Sequence, residues 1–156
     1  PTATLVLEAS REAPAGTHEL VVDGTASGLT GSAPLTLVVR ETKPFTIAGD
    51  LAEPLLPGVR RGLDLALTNP HDFDLKVTAL NVSVAATDRA GCDGGSNFRV
   101  TPVAAALPLT LPPGTRSLSA LGVPSAQLPQ LEMLASGAEA CQGARVELAY
   151  SGTAGH

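Results

Sequence analysis

The sequence predicts an all-β chain, a β-sandwich preceded by part of another. Three observations lead there. Gly and Pro, 16 and 13 of the 156 residues, cut the chain into short segments of the kind that all-β proteins show and leave little room for long helices. Several of those segments alternate apolar with polar residues, the period-2 pattern of a strand with one buried face. Apolar residues make up 44%, enough for a core, but with no Trp, one Tyr and three Phe that core must be packed from Leu, Val and Ala, as in a thin sandwich. The length allows one large or two small domains.

The first 41 residues read as three strands: Thr4 to Glu8, His18 to Gly24 and Leu35 to Glu41. Their inward positions are Leu5 and Leu7, then Leu20 and Val22, then Leu35, Leu37 and Val39. Ala13, Pro14, Ala15 and Gly16 make the first turn, and the Gly-containing stretch from Gly24 to Pro34 makes a longer hairpin connection. Thr42, Lys43 and Pro44 form a polar break, taken as the boundary between a partial domain (1-41) and a second unit (45-156). That unit opens with a strand at Phe45 to Gly49 and a turn-rich EPLLPG.

Its organising stretch is Leu63 to Ala86, LDLALTNPHDFDLKVTALNVSVAA, read as a hairpin. Leu63, Leu65 and Leu67 alternate with Asp64, Ala66 and Thr68. Pro70 has no N–H to donate and drives Asn69 out of the helical region, so the chain reverses or crosses over at Asn69 to Asp72. In the second strand Phe73, Leu75, Val77 and Ala79 cannot share a face with Leu80, Val82 and Val84 under strict alternation. A β-bulge or a switch of sheets near Ala79 and Leu80 is expected. A polar Gly-rich loop, Asp88 to Asn97, follows, then strands at Phe98 to Thr101, Leu107 to Leu111 and, after the Pro112-Pro113-Gly114 turn, Arg116 to Leu121. By propensity QLEMLAS, Gln130 to Ser136, favours a helix, but Pro129 and Gly137 confine it, and alternating Leu131 and Met133 predict a strand. Ala138 to Gly143 reads as a turn, and Arg145 to Ser151 as a last strand with Val146, Leu148 and Tyr150 on one face.

The stretch PAGTHELVVDGTASGLTGSAPLTLVV resembles the final hairpin of bacterial extracellular Ig-like modules, in which a G-T-aromatic-x-L-x-V-x-G-T run opens the penultimate strand. His18 stands where those modules usually carry Tyr. The unit from Phe45 to Ala154, with its Asn69-Pro70 turn, Gly-flanked Cys pair and terminal YSGTA, is similar to secreted actinobacterial β-sandwiches. The resemblance implies an Ig-like architecture and an extracellular location, secreted or at the cell surface, and implies no activity.

Composition also bounds the partners. A net charge of −5 without charge runs provides no footprint for nucleic acid or an anionic membrane, and the most apolar stretch, Val103 to Leu111, is too short and too broken by Pro108 to span a bilayer. The start at Pro1 reads as that of a mature or trimmed piece. Cys92 and Cys141 form no CxxC and have no neighbouring His, so the choice is a disulfide or two free thiols. A β-rich, Lys-poor chain favours the disulfide and with it an oxidising compartment.

No chemistry stands out. His18-Glu19 opens no HExxH, since position 22 is Val. His71 beside Asp72 and Asp74 lacks a third convergent ligand and reads as a solvated turn. Asp88, Asp93 and Asn97 lack the spacing of a calcium loop. Asn81-Val82-Ser83 is formally a glycosylation sequon, read as an outward polar position. There is no GxSxG, Walker loop or GxGxxG. No catalytic residue, cofactor or metal site is expected, and an enzyme is disfavoured.

What remains is an unpartnered apolar face, Leu5, Leu7, Leu20, Val22, Leu35, Leu37 and Val39, as a candidate interface. Leaving it wet forfeits about 1.5 to 3 kcal/mol per large side chain. Upstream strands, or strands from a neighbouring copy, would cover it. The expected role is a structural module of a bacterial cell-surface or secreted assembly, a filament subunit completed by strand donation, with other copies or adjoining domains as partners. The rival is an accessory adhesion or binding module displaying a carbohydrate or protein site on its loops.

Overall fold

A computed structural model describes residues 4–10, 13–41, 43–51, 53–137 and 139–155. The chain is all-β, with several antiparallel sheets, and divides into two compact units, Pro1–Lys43 and Pro44–His156.

The first unit is a hairpin of β1 (Gly16–Ala26) and β2 (Leu29–Val39), each of 11 residues. Two expectations are corrected. Thr4–Glu8 lies in no strand, so among its described residues the unit has two strands, not three. The connection is also shorter than Gly24 to Pro34. The strands run on to Ala26 and resume at Leu29, joined by Ser27 and Gly28, both in the left-handed region at φ 51° and 80°. Positive φ at both central residues is the type I′ geometry whose twist matches that of the flanking strands, so the ladder can run into the turn. The register sets Leu20 opposite Leu35, His18 opposite Leu37, Val22 opposite Ala33 and Gly16 opposite Val39. All five predicted β-positions, Leu20, Val22, Leu35, Leu37 and Val39, therefore share one face. The opposite face is polar: Thr36 donates to the Glu19 carboxylate and Ser32 Oγ to that of Asp23.

The second unit holds β3 (Thr46–Ala48), β4 (Arg60–Gly62), β5 (Ala66–Asn69), β6 (Leu75–Thr87), a one-turn helix α1 (Gly94–Asn97), β7 (Phe98–Thr101), β8 (Leu109–Leu111), β9 (Gly114–Ser117), β10 (Gln130–Met133) and β11 (Val146–Gly155). They form three antiparallel sheets in the orders β4-β10-β7, β11-β6-β8 and β3-β5-β9. One core joins them, centred on Leu63, Leu65, Leu67, Val77, Leu111, Leu118 and Leu131. Leu131 and Met133 are both buried within β10, as their alternation requires of a strand.

The Leu63 to Ala86 stretch is not a hairpin. β5 and β6 lie in different sheets, and the chain crosses between them because Asn69, almost fully buried, holds the crossing together. Its amide donates to the carbonyls of Phe73 and Leu111 and its Oδ1 accepts the His71 N–H at 2.9 Å. A buried amide satisfied on three sides fixes a loop that backbone ladders cannot. Leu63 and Leu65 are buried as expected but stand before the strand: Leu63 N–H donates to Pro129 O, and Leu118 N–H to Leu65 O.

The expected irregularity in β6 is present. Val77 pairs with Ala154 and Ala79 with Thr153, so Thr78 is the extra residue, and a second shift falls between Glu147 and Leu148. The bulge lets Leu75 and Val77 on one side of it and Leu80 on the other all reach the core.

Candidate functional site

Cys92 and Cys141 are bonded, with an S–S distance of 2.07 Å. The bond ties the loop after β6 to the turn before β11. Around it the loop is held by its own polar groups. Thr87 Oγ1 donates to Cys92 O, Arg145 N–H donates to the Asp88 carboxylate, and Asp93 caps α1 by accepting the Ser96 N–H at 2.8 Å. The side chain and backbone of Ser96 hold the Asp93 carboxyl below its usual range. Two of the three oxygen ligands considered for calcium thus serve as backbone acceptors. Among the described residues no group of three His, Cys, Asp or Glu stands close enough to hold a metal ion.

The other residues singled out by sequence are scattered. His18 Nε2 lies 3.0 Å from Pro14 O. His71 stacks on Phe73, ring centres 4.7 Å apart, beside the Asn69 crossing. Asn81 is exposed on β6 opposite Ser151, an outward position. His156 lies outside the described residues. Tyr150 points inward and donates to Gly49 O at 2.8 Å. Burial, and after it the Asp50 carboxylate, raise its phenol above the ordinary value. No helix among the described residues is long and apolar enough to cross a membrane.

Two surface features remain. One, not anticipated from sequence, is a cleft of about 550 Å³ between Pro54–Pro57 and the floor made by Phe98, Met133 and Val146, with Cys141 at its side. The signal for it was the EPLLPG segment, whose Leu56 stays exposed. The other is the hairpin. On its apolar face Leu20 and Val22 keep 36% and 38% of their surface, while Leu35, Leu37 and Val39 are half-buried. Leu5 and Leu7, expected on the same sheet, are exposed at 57% and 47% and pair with no strand. His18 belongs to this face by register, as does Leu29, which lay inside the expected loop.

No family model, no curated protein and no solved structure matches this chain.

Proposed function

We propose that the chain is a non-enzymatic structural module of an extracellular bacterial assembly, its second unit an Ig-like sandwich and its hairpin a contact surface for neighbouring copies. One observation carries the reading: an amphipathic hairpin whose apolar face is still partly open to solvent on Leu20 and Val22. A two-stranded hairpin is marginal by itself in water, and a strand face patterned for burial gains stability when something covers it. The Cys92–Cys141 bond suits an oxidising compartment. The rival is an accessory adhesion or binding module with a carbohydrate or protein site on its loops, and its carbohydrate form needs exposed aromatic platforms. Phe98 is buried, and Phe45, Phe73 and Tyr150 are packed against the core.

Sedimentation velocity on the purified chain over a wide concentration range tests the reading. The wild type associates, Leu20→Ser combined with Val22→Ser removes association, and Val21→Ser combined with Val38→Ser, on the opposite face, leaves it. A wild type that stays monomeric throughout, or equal loss in both double variants, refutes the reading.

A further inference from the structure

The hairpin has two outer edges, and among the described residues neither carries a strand. They are not equivalent. Because the Ser27–Gly28 turn is two residues long, Ala26 and Leu29 exchange both backbone hydrogen bonds, and so does every second pair after them. The pairs between, Thr17 with Val38, Glu19 with Thr36, Val21 with Pro34, Asp23 with Ser32 and Thr25 with Thr30, turn their N–H and C=O groups outward. On β2 this places Pro34, which has no N–H, at the middle of the outer row. Proline there is a common way of closing an edge against further pairing. On β1 every outward residue keeps its donor.

The same unit contains a segment fit to fill that edge. Thr4–Ser10, TLVLEAS, lies outside every ladder and alternates, with Leu5 and Leu7 on one side and Val6, 82% exposed, on the other. Within one molecule it stays off the edge. The Ala13 N–H donates to Ser10 O and His18 Nε2 lies 3.0 Å from Pro14 O, and neither contact pairs the segment with β1 of its own chain. Each copy thus presents one open edge and one unpaired strand-like segment, and a second copy supplies the complement.

We propose that the Thr4–Ser10 segment of a neighbouring copy adds to the outer edge of β1 as an antiparallel third strand, with Leu5 opposite Leu20 and Glu8 opposite Thr17. This rests on the assembly reading above and names its contact. Sliding the segment by one residue turns Leu5 and Leu7 to the polar face. A slide by two that keeps Leu7 beside Leu20 sets Glu8 opposite Glu19, a like-charge pair that costs stability. In the favoured register Leu5 and Leu7 extend the apolar face beside Leu20 and His18. Val6 lies opposite Glu19 and donates its N–H into the ladder. The contact is heterologous, so it closes into a ring or a reciprocal dimer, or runs on as a filament.

The test uses the full chain and two substitutions at an exposed position outside the folded ladders. Val6→Ala keeps the backbone donor, and Val6→Pro removes it. Sedimentation is combined with amide hydrogen exchange read residue by residue. Expected is assembly of wild type and Val6→Ala, with slowed exchange at Thr17, Glu19 and Val21, and loss of both assembly and slowing in Val6→Pro. If Val6→Pro assembles like the wild type, the copies meet elsewhere: the strand exchange is wrong and the assembly reading stands. If the three amides are protected in dilute monomer, the segment pairs within its own chain and the exchange is likewise wrong. A wild type that never assembles overturns both.

Discussion

At the residue scale, the two faces of the Leu63–Thr68 stretch carry different weights. Leu65 is fully buried, so Leu65→Asp places an unpaired charge in the core at a cost of several kcal/mol and unfolds the second unit. Asp64 faces the other way, but it is not idle: its carboxylate accepts the Ser119 N–H at 2.9 Å and the Ser119 hydroxyl, pinning the turn after β9. Asp64→Ser keeps the fold and costs about 1 to 2 kcal/mol. Thermal melts check both: no cooperative transition for the first, a lowered Tm for the second, and equal Tm values would show the faces misassigned. Tyr150 supplies a pH dependence. Its pKa is raised above 10.0 in the folded state, by burial first and the Asp50 carboxylate second. A raised folded value means that the phenol's contribution is complete below its unfolded pKa and is lost as pH rises through the folded one. Tyr150→Phe, which removes the bond to Gly49 O, should cost about 1 kcal/mol at neutral pH and flatten the alkaline loss of stability. Denaturant unfolding across the alkaline range reads this, and parallel wild-type and variant profiles would exclude the mechanism.

At the level of elements, the β6–β11 ladder leans on a glycine that no pattern announced. A Cβ added at Gly152 would stand 2.8 Å from the Ala79 carbonyl oxygen and 2.8 Å from Phe45 Cζ. The first of these is backbone beside the β6 bulge and has little room to yield. Gly152→Ala should therefore destabilise the second unit by about 1 to 3 kcal/mol, read as a lower denaturation midpoint. An unchanged midpoint would show that β6 and β11 separate at little cost. How far elements were legible follows from what carries them. Phe98–Thr101 alternates and is a strand in the structure, whereas Gln130–Ser136, confined by Pro129 and Gly137, is a strand only as far as Met133 and turns into a short 3-10 helix at Ala135–Gly137. The two sets of apolar residues in β6 required a bulge, and one is there at Thr78. Arg60–Gly62 was not legible, because a short strand of Arg-Arg-Gly has no apolar period. It exists through pairing with β10, where Arg60 Nε meets the Glu132 carboxylate at 2.9 Å. The Asn69 crossing was misread as a hairpin for a related reason: a Pro-containing turn announces a change of direction, while the buried amide that sends the chain to another sheet acts through Leu111, far along the sequence. In the hairpin, period 2 identified the apolar face, but Ser27 in the left-handed region hid a two-residue turn behind a sequence that reads as a loop.

At the scale of the whole molecule, the two units draw on unequal sources of stability. The second has one buried core shared by its sheets and a disulfide whose cysteines are 49 residues apart. In the chain-entropy picture such a bond contributes about 4 kcal/mol by restricting the unfolded chain. The hairpin has two strands, a half-open apolar face and no cross-link, conditions under which a β-hairpin is marginal in water. The candidate contact surface was legible as a set of alternating Leu and Val. Its asymmetry was not, since only the register puts Pro34 on the outer row of β2. In protein dilute enough to be monomeric, the backbone amides that β1 and β2 share should exchange close to the unprotected rate, while those of Val77 and Leu80 in β6 exchange only through unfolding of the second unit. Reducing the Cys92–Cys141 bond should then speed exchange at Val77 and Leu80 by about three decades, the equivalent of that loop-closure contribution. Hairpin amides as slow as those of β6 would mean that the hairpin is stable without a partner and removes the physical motive for assembly. No acceleration on reduction would mean that the bond serves something other than the stability of the fold.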